Sequence, residues 1–303
     1  MERDEVRGTQ AEQRHFIASF PGNRFPAISV TGHSCELMCA RCEGRYLRGM
    51  MPCTTPEELY GRCRDLEAGG AFGVMLSGGC NEEGYVPLDS CLDVIQTIKE
   101  ETNLFLAAHT GLPPGWLVRE LGRAGIDLVD FELFGDRRTI KLLTGLDKAP
   151  ADYRRAMNDL RRHIPHVVPH ICIGAHGGEL LGESAVDIAV DADPEVLVFL
   201  AFVPPSGTAF GGMRPPSPKA VGKLIAEARR RISGEISLGC MRPRGADRER
   251  YEREALMAGA DRMEMPSRKT LELASGMGMR VGLMDACCSV PLGARGWVRW
   301  SNG

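Results

Sequence analysis

Short apolar runs alternate with amphipathic, charged stretches along most of the chain. The apolar runs predict β-strands at 27–31 (AISVT), 72–77 (FGVMLS), 103–109 (NLFLAAH), 126–132 (IDLVDFE), 167–174 (VVPHICIG), 196–202 (VLVFLAF), 235–239 (EISLG) and 261–265 (DRMEM), with a further short run at 280–284 (RVGLM). Helices are predicted near 56–68, 87–101, 114–124, 150–163, 180–191, 217–232, 247–258 and 268–277. Several of them open on a capping or proline signal: Thr55-Pro56, Pro113-Pro114, Ser217-Pro218 and Ser267.

Eight β–α alternations within about 250 residues read as a (β/α)8 TIM-type barrel of parallel strands, with a doubly wound open sheet as the alternative. The reading divides the chain into an N-terminal extension (1–25), the barrel (26–290) and a C-terminal tail (291–303). No linker or low-complexity segment interrupts it. In such a barrel functional residues gather at the C-terminal ends of the strands. The unusual residues of this chain fall there: a three-cysteine loop after the first predicted strand, then SGGC (77–80), AHTG (108–111), FELFGD (131–136), GAHGGE (174–179), PPSGTAFGG (204–212), GCMRPRG (239–245) and ACCS (286–289).

Composition narrows the function classes. At 303 residues and 43% hydrophobic content the chain can bury a full core. A net charge of −3 leaves no electrostatic footprint for nucleic acid or an anionic membrane. The run Arg229-Arg230-Arg231 reads as surface late in a helix. The N-terminus is charged without an apolar core segment, and no apolar run approaches the ~18 residues of a membrane span, so the expectation is a cytoplasmic protein. Thiols stay reduced there, and eleven cysteines then argue for metal or redox chemistry rather than a disulfide framework.

Cys35, Cys39 and Cys42 form C-x3-C-x2-C. The last pair has a spacing shared by zinc and iron–sulfur sites. A structural zinc needs a fourth ligand, which His33 or Cys53 could supply. The other reading is a [4Fe–4S] cluster on three thiolates, with one iron left open.

The loop CELMCARC after the first strand of an α/β barrel resembles the radical S-adenosylmethionine (SAM) superfamily. The resemblance implies that the open iron chelates SAM and that reductive cleavage yields a 5′-deoxyadenosyl radical, the cofactor carrying the hard chemistry. Arg41 stands where the family usually has an aromatic residue. Gly78 and Gly79 match the glycine-rich motif that contacts the SAM amino group, with Cys80 in place of the acid that often follows. By strand alternation Asp130 and Glu132 share a face. The resemblance gives Glu132, then Asp136, the role of bonding the SAM ribose; ion pairing of Glu132 with a neighbouring arginine is the alternative.

Of the other cysteines, Cys63 and Cys91 read as helix packing. His170 and Cys172 should point into the barrel, with Ile171 and Ile173 facing the helices. Cys80, Cys240, Cys287 and Cys288 follow strand ends at one mouth and could hold a second iron–sulfur cluster, to which Cys53 or Ser289 could add a ligand. A second cluster narrows the resemblance to biotin and lipoyl synthases. SGGC, FELFGDRRTIKLLTGLD, LGCMRPRG and CCS look most like a component of the two-protein lipoyl synthase of archaea and some bacteria. The common lipoyl synthase's upstream cysteine cluster and closing Arg-Ser-Ser are absent, and His109 stands where biotin synthase has a cluster cysteine.

The narrower resemblance implies sulfur insertion at an unactivated carbon of an octanoyl group on a lipoyl-carrier protein or peptide. It also implies a paralogous radical SAM partner and a low-potential electron donor such as ferredoxin or flavodoxin. Arg242 and Arg244 could orient a carboxylate or a cluster ligand, or stabilise their loop. A radical SAM enzyme acting on a free small molecule and a non-enzymatic metal-binding barrel are the competing readings.

Overall fold

The computed structural model describes residues 14–175, 182–294 and 298–300. Its strands are β1 (His15–Ser19), β2 (Ala27–Ser29), β3 (Met51–Pro52), β4 (Gly73–Ser77), β5 (Phe105–His109), β6 (Leu128–Glu132), β7 (His166–Ile173), β8 (Val196–Ala201), β9 (Glu235–Leu238), β10 (Arg262–Glu264), β11 (Arg280–Met284) and β12 (Val298–Trp300). The helices are α1 (Pro56–Ala68), α2 (Leu92–Glu101), α3 (Gly115–Ala124), α4 (Arg137–Thr144), α5 (Pro150–His163), α6 (Glu183–Ala192), α7 (Pro218–Arg229), α8 (Arg248–Met257) and α9 (Arg268–Gly276). Every predicted strand and helix is present. Thr55, Ser217 and Ser267 each accept a backbone N–H at the start of their helices, as their positions require.

The strands form one sheet in the order β3-β2-β4-β5-β6-β7-β8-β9-β10-β1-β11-β12, parallel except for β12 against β11. The fold is therefore the α/β TIM-type architecture, curled but open. Among the described residues no pairing joins its two edges. The β3 edge is two residues long and ends in Pro52, which has no N–H to extend a ladder. Two elements lie outside the predicted set at the other side of the sheet. β1 inserts between β10 and β11, within the segment read as an extension, and β12 pairs with β11 from the segment read as a tail.

Alternation along the strands sorts the core into two. Leu76, Leu106, Val129, Phe131, Ile171 and Phe199 face outward onto helix residues such as Leu59, Ile95, Leu121, Leu160 and Leu224. Each such aliphatic side chain, fully buried, contributes about 1.5–3 kcal/mol. Met75, Phe105, Ala107, Leu128, Val168 and Val198 face inward, and they meet Ile17, Met284, Ala286, Cys288 and Val290. The segment 286–290 thus runs through the interior of the curled sheet and fills it. The Arg262 guanidinium, fully buried on β10, fixes this segment by donating to the carbonyls of Cys288 (3.4 Å) and Val290 (2.6 Å).

Among the described residues no helix is long and apolar enough to cross a membrane. The predicted strand-end segment GAHGGE (174–179) lies outside the described residues beyond Ala175.

Candidate functional site

The three-cysteine loop is a chain of tight turns. The N–H groups of Cys42 and Glu43 both donate to the Cys39 carbonyl, at 3.0 and 2.8 Å. Met38 (φ 40°) and Glu43 (φ 47°) take the left-handed conformation, which costs a residue with a Cβ roughly 1 kcal/mol or more. Cys35, Cys39 and Cys42 are half-buried and, like all eleven cysteines, free thiols. Burial pushes the Cys39 thiol up to about 12, opposed by the Arg41 charge, and burial raises Cys42 too.

The end of β4 forms the seat of this loop. The Cys80 carbonyl accepts from the N–H groups of Glu36 (3.0 Å) and Leu37 (3.1 Å), and the Gly79 N–H donates to Thr31 Oγ1 (2.7 Å). A Cβ on Gly79 would stand 2.1 Å from the Ser34 carbonyl oxygen and 2.5 Å from Cys35 Cα, so only glycine lets the two backbones meet. Gly79 of SGGC is thereby required by loop packing, whatever else its amide does. Cys80 belongs to this neighbourhood: the charges acting on its thiol are those of Cys39, Cys35, Arg41 and Glu132.

Arg41 reaches from the loop to the end of β6, where its guanidinium donates through both terminal nitrogens to the two oxygens of Glu132. The pair is largely shielded, at 17% and 22% side-chain exposure. The arginine in the family's aromatic position and the acid assigned to ribose are therefore partners of each other. Asp136 has a different employment. It caps α4, accepting from the Thr139 N–H at 2.7 Å and from the Thr139 hydroxyl.

Below this pair lies a polar floor inside the sheet. Asp130 is fully buried; Ser289 donates to its Oδ2 at 3.1 Å, and its Oδ1 has no hydrogen-bond partner among the described residues. His109 Nε2 is 3.7 Å from Oδ2, and His170 Nδ1 is 3.9 Å from Oδ1. Burial raises the Asp130 carboxyl to about 6, the His109 charge opposing, and lowers His170 to about 4. His170 and Cys172 point inward as alternation requires, both buried. Ser289, a candidate cluster ligand by sequence, is turned to Asp130 instead.

The third group lies at the ends of β9, β10 and β11. The ligand atoms of Glu264, Cys287 and Cys288 all lie within 4.8 Å of one another, the single set among the described residues that is so compact. Cys240 is exposed beside them; Glu264 and Cys287 are the leading charges acting on its thiol. The adjacent Cys287 thiol and burial push Cys288 far above its ordinary value, and burial raises Glu264 to about 7.

The four mouth cysteines are thus divided: Cys287 and Cys288 converge with Glu264, Cys240 lies within reach of their charges but outside that compact group, and Cys80 sides with the loop. Arg242 and Arg244 are loop fasteners. Arg242, buried, donates to the carbonyls of Gly239 (2.7 Å) and Glu264 (2.6 Å) and pairs with Glu252 (2.8 Å). Arg244 donates to the carbonyls of Cys240 and Met265.

The loop sulfurs, by contrast, do not reach single-ion spacing, whereas ligands around one zinc have bonds of about 2.3 Å and must nearly touch. Neither proposed fourth zinc ligand joins them. Cys53 packs in the outer core and bonds Arg62, and His33 is exposed. Three thiols spaced more widely than one ion allows would suit a larger group such as a [4Fe–4S] cluster. Cys63 and Cys91 are core residues, as expected. Sequence reasoning missed Glu264 and His109 as site residues. The signal for Glu264 was present, since Arg262 and Glu264 flank Met263 in strand alternation.

No family model and no curated protein matches the chain. Solved structures do. Methylornithine synthase (PylB) aligns at TM-score 0.59 and 17% identity over 88% of this chain and 83% of its own. HydG, a maturase of the [FeFe]-hydrogenase, aligns at 0.60 and 14% over 86% of this chain and 62% of its own. Streptococcus suis SuiB, bound to S-adenosylmethionine, aligns at 0.56 and 13% over 76% of this chain and 52% of its own. At these identities the likeness is one of fold.

Proposed function

We propose that this chain is a radical SAM enzyme that inserts sulfur at an unactivated carbon of a protein-bound octanoyl group, as one component of a lipoyl synthase. The observation that carries the radical SAM reading is the half-buried Cys35/Cys39/Cys42 loop, its sulfurs too far apart for one ion, on a fold shared with a SAM-bound enzyme. A [4Fe–4S] cluster with one open iron, when bound there, supplies the electron that cleaves SAM to a 5′-deoxyadenosyl radical. Thr31, Gly79 and the Cys80 carbonyl hold the loop in place. Arg41 fixes the direction of the Glu132 carboxylate, which then accepts from the ribose hydroxyls.

Cys240 and the adjacent pair Cys287 and Cys288 support the finer reading, because thiols brought together from two segments would repel on ionising unless metal bonded them. In this reading they hold the second iron–sulfur cluster that provides sulfur. A low-potential donor such as ferredoxin or flavodoxin, a paralogous partner and an octanoylated carrier complete the system.

One observation favours a second reading. The floor of His109, Asp130 and His170 is polar and in part buried, a costly neighbour for an alkyl chain. A radical SAM enzyme acting on a small polar molecule would suit it better.

The test is anaerobic reconstitution with iron and sulfide, followed by assay of 5′-deoxyadenosine and of a thiolated octanoyl-lysine peptide. The proposal expects both products from the wild type with reductant, SAM and the partner present. SAM cleavage without thiolation moves the function to the small-molecule reading. About one zinc per chain with no iron would remove both.

A further inference from the structure

The loop between β8 and α7 crosses the mouth of the curled sheet. Four strands, β4 to β7, separate β2 from β8 in the sheet order. Even so, the Ala209 N–H in this loop donates to Glu43 Oε1 at 2.8 Å, and Arg45 Nη2 donates to the Gly207 carbonyl at 2.8 Å. The crossing loop has a shape of its own. Thr208 Oγ1 donates to the Pro205 carbonyl (2.8 Å), the Gly211 N–H donates to the Thr208 carbonyl (2.9 Å), and Phe210 is buried edge-on against Phe202. Gly207 is fitted to the contact: it is left-handed (φ 75°), and a Cβ there would stand 2.9 Å from Arg45 Nη2.

What the crossing loop grips is the turn directly after Cys42. Glu43 (φ 47°) and Gly44 (φ 69°) are consecutive left-handed residues. Gly44 takes this conformation freely, but Glu43 carries a Cβ, and such backbone persists only where its surroundings over-determine it. Within the cysteine loop the Glu43 N–H is held by the Cys39 carbonyl; from across the mouth its side chain is held by Ala209. Burial raises the Cys42 thiol, and the Gly44 N–H draws it back down. The braced turn therefore directs a backbone donor at one of the three cysteine sulfurs.

We infer that the 202–217 loop is a strap across the mouth, and that Glu43 and Arg45 are positioning residues which, through it, hold the Cys42 turn in place for a bound cluster. This rests on the reading of Cys35, Cys39 and Cys42 as ligands of a [4Fe–4S] cluster. Hydrogen bonds to the sulfurs help set a cluster's reduction potential, and partners behind the ligands help retain the metal. The strap acts on both. The acceptor it needs at residue 43 is one side-chain oxygen, not a charge, because the donor is a neutral backbone amide.

The experiment uses the full chain, reconstituted anaerobically with ferrous iron and sulfide, as wild type, Glu43→Ala, Glu43→Gln and Ala209→Pro. Proline removes the N–H that Glu43 accepts without touching the cysteine loop. The loop cluster is followed by the electron paramagnetic resonance signal that SAM perturbs, which separates it from any second cluster. Its midpoint potential and its loss to a chelator are measured. Glu43→Ala and Ala209→Pro should lose this signal about tenfold faster than wild type, and the midpoint should fall as the donor to Cys42 is freed. Glu43→Gln keeps the acceptor oxygen and should behave as wild type. If Glu43→Ala fails to fold, Ala209→Pro decides on the same readouts. Unchanged loss and midpoint in both variants overturn the strap while leaving the cluster standing. Faster loss with an unmoved midpoint overturns the positioning of Cys42, and a Glu43→Gln chain as weak as Glu43→Ala overturns its hydrogen-bond basis. A wild type with no SAM-perturbed signal overturns the cluster reading itself.

Discussion

The two cysteine regions of this molecule are built in opposite ways. The Cys35/Cys39/Cys42 loop is a contiguous stretch of eight residues seated on one strand end, and its shape comes from tight turns and the glycines beneath it. The group at the other side takes Cys240 from after β9, Glu264 from β10 and Cys287–Cys288 from the segment that enters the sheet. Local chemistry makes the first region; long-range packing, fastened by Arg242 and Arg262, makes the second. The polar floor joins them, since Asp130 is two residues from Glu132 and bonded to Ser289, next to Cys288.

Removing the first region is the largest test. The Cys35/Cys39/Cys42→Ala variant should form no 5′-deoxyadenosine yet still take up iron and sulfide, measured by mass spectrometry and colorimetric assay. Retained SAM cleavage would end the radical SAM assignment. Next in size is Gly79→Ala. Its methyl would collide with Ser34 and Cys35, so iron uptake at the loop should collapse. Gly78→Ala meets side chains no closer than 3.1 Å and should be milder. Equal behaviour of the two would show that loop packing does not set the glycine requirement.

Glu132→Gln leaves Arg41 shielded without its partner and should destabilise the apo chain by roughly 3 kcal/mol, the lower end for a broken buried pair. Denaturant unfolding measures it. Arg41→Gln combined with Glu132→Gln should recover part of that loss, and a strictly additive double variant would refute coupling of loop to β6. Asp136→Ala should cost only about 1 kcal/mol, the worth of a helix cap, with SAM affinity unchanged. A large rise in the SAM dissociation constant would return Asp136 to the cofactor.

The floor gives the smallest effect, in acid. His170 titrates near 4 against its ordinary 6.5, so the unfolded chain takes up that proton first and stability falls as pH drops through this window. Asp130 titrates near 6 against 3.8, so the folded chain takes up its proton first and stability rises as pH drops from 6 towards 3.8. The two oppose each other. His170→Asn should make the loss of stability between pH 6.5 and 4.5 shallower, and Asp130→Asn should make it steeper, by urea unfolding at each pH. Slopes that do not separate would mean the floor is not dry.

The same contrast explains what the sequence made legible. Apolar runs located β2 and β4 to β11, and Ser or Thr before a charged stretch marked several helix starts. The cysteine loop was readable because its ligands are neighbours in the chain. α4 was missed because its cap, Asp136, was read as a cofactor ligand; a capping acid and a binding acid look alike until Thr139 is seen beside it. β1 was missed because HFIAS is short and follows a polar segment, and only its pairing with β10 and β11 reveals it. The grouping of Cys80 with the loop, and of Glu264 with Cys287 and Cys288, depends on which strand ends the curl brings together. No spacing in the chain records that.

The place of β1 also sets an order of events during synthesis. Ile17 emerges early but pairs with Arg262, about 245 residues later. At roughly 5–20 residues per second the first strand waits some 12 to 50 s for its neighbours. The backbone contacts that seat the cysteines come from Thr31, the end of β4 and Glu132, and contacts such as Glu43 with the Ala209 N–H follow later, so most of the seat can form before the second half of the chain is made. Cys287 and Cys288 are made long after the loop, and their segment then packs against the inward-facing strand residues. A cell that loads both sites would meet them on two different clocks, the first before the residues of the second have been made. Until then β1 is an unpaired apolar strand, a natural client for a chaperone.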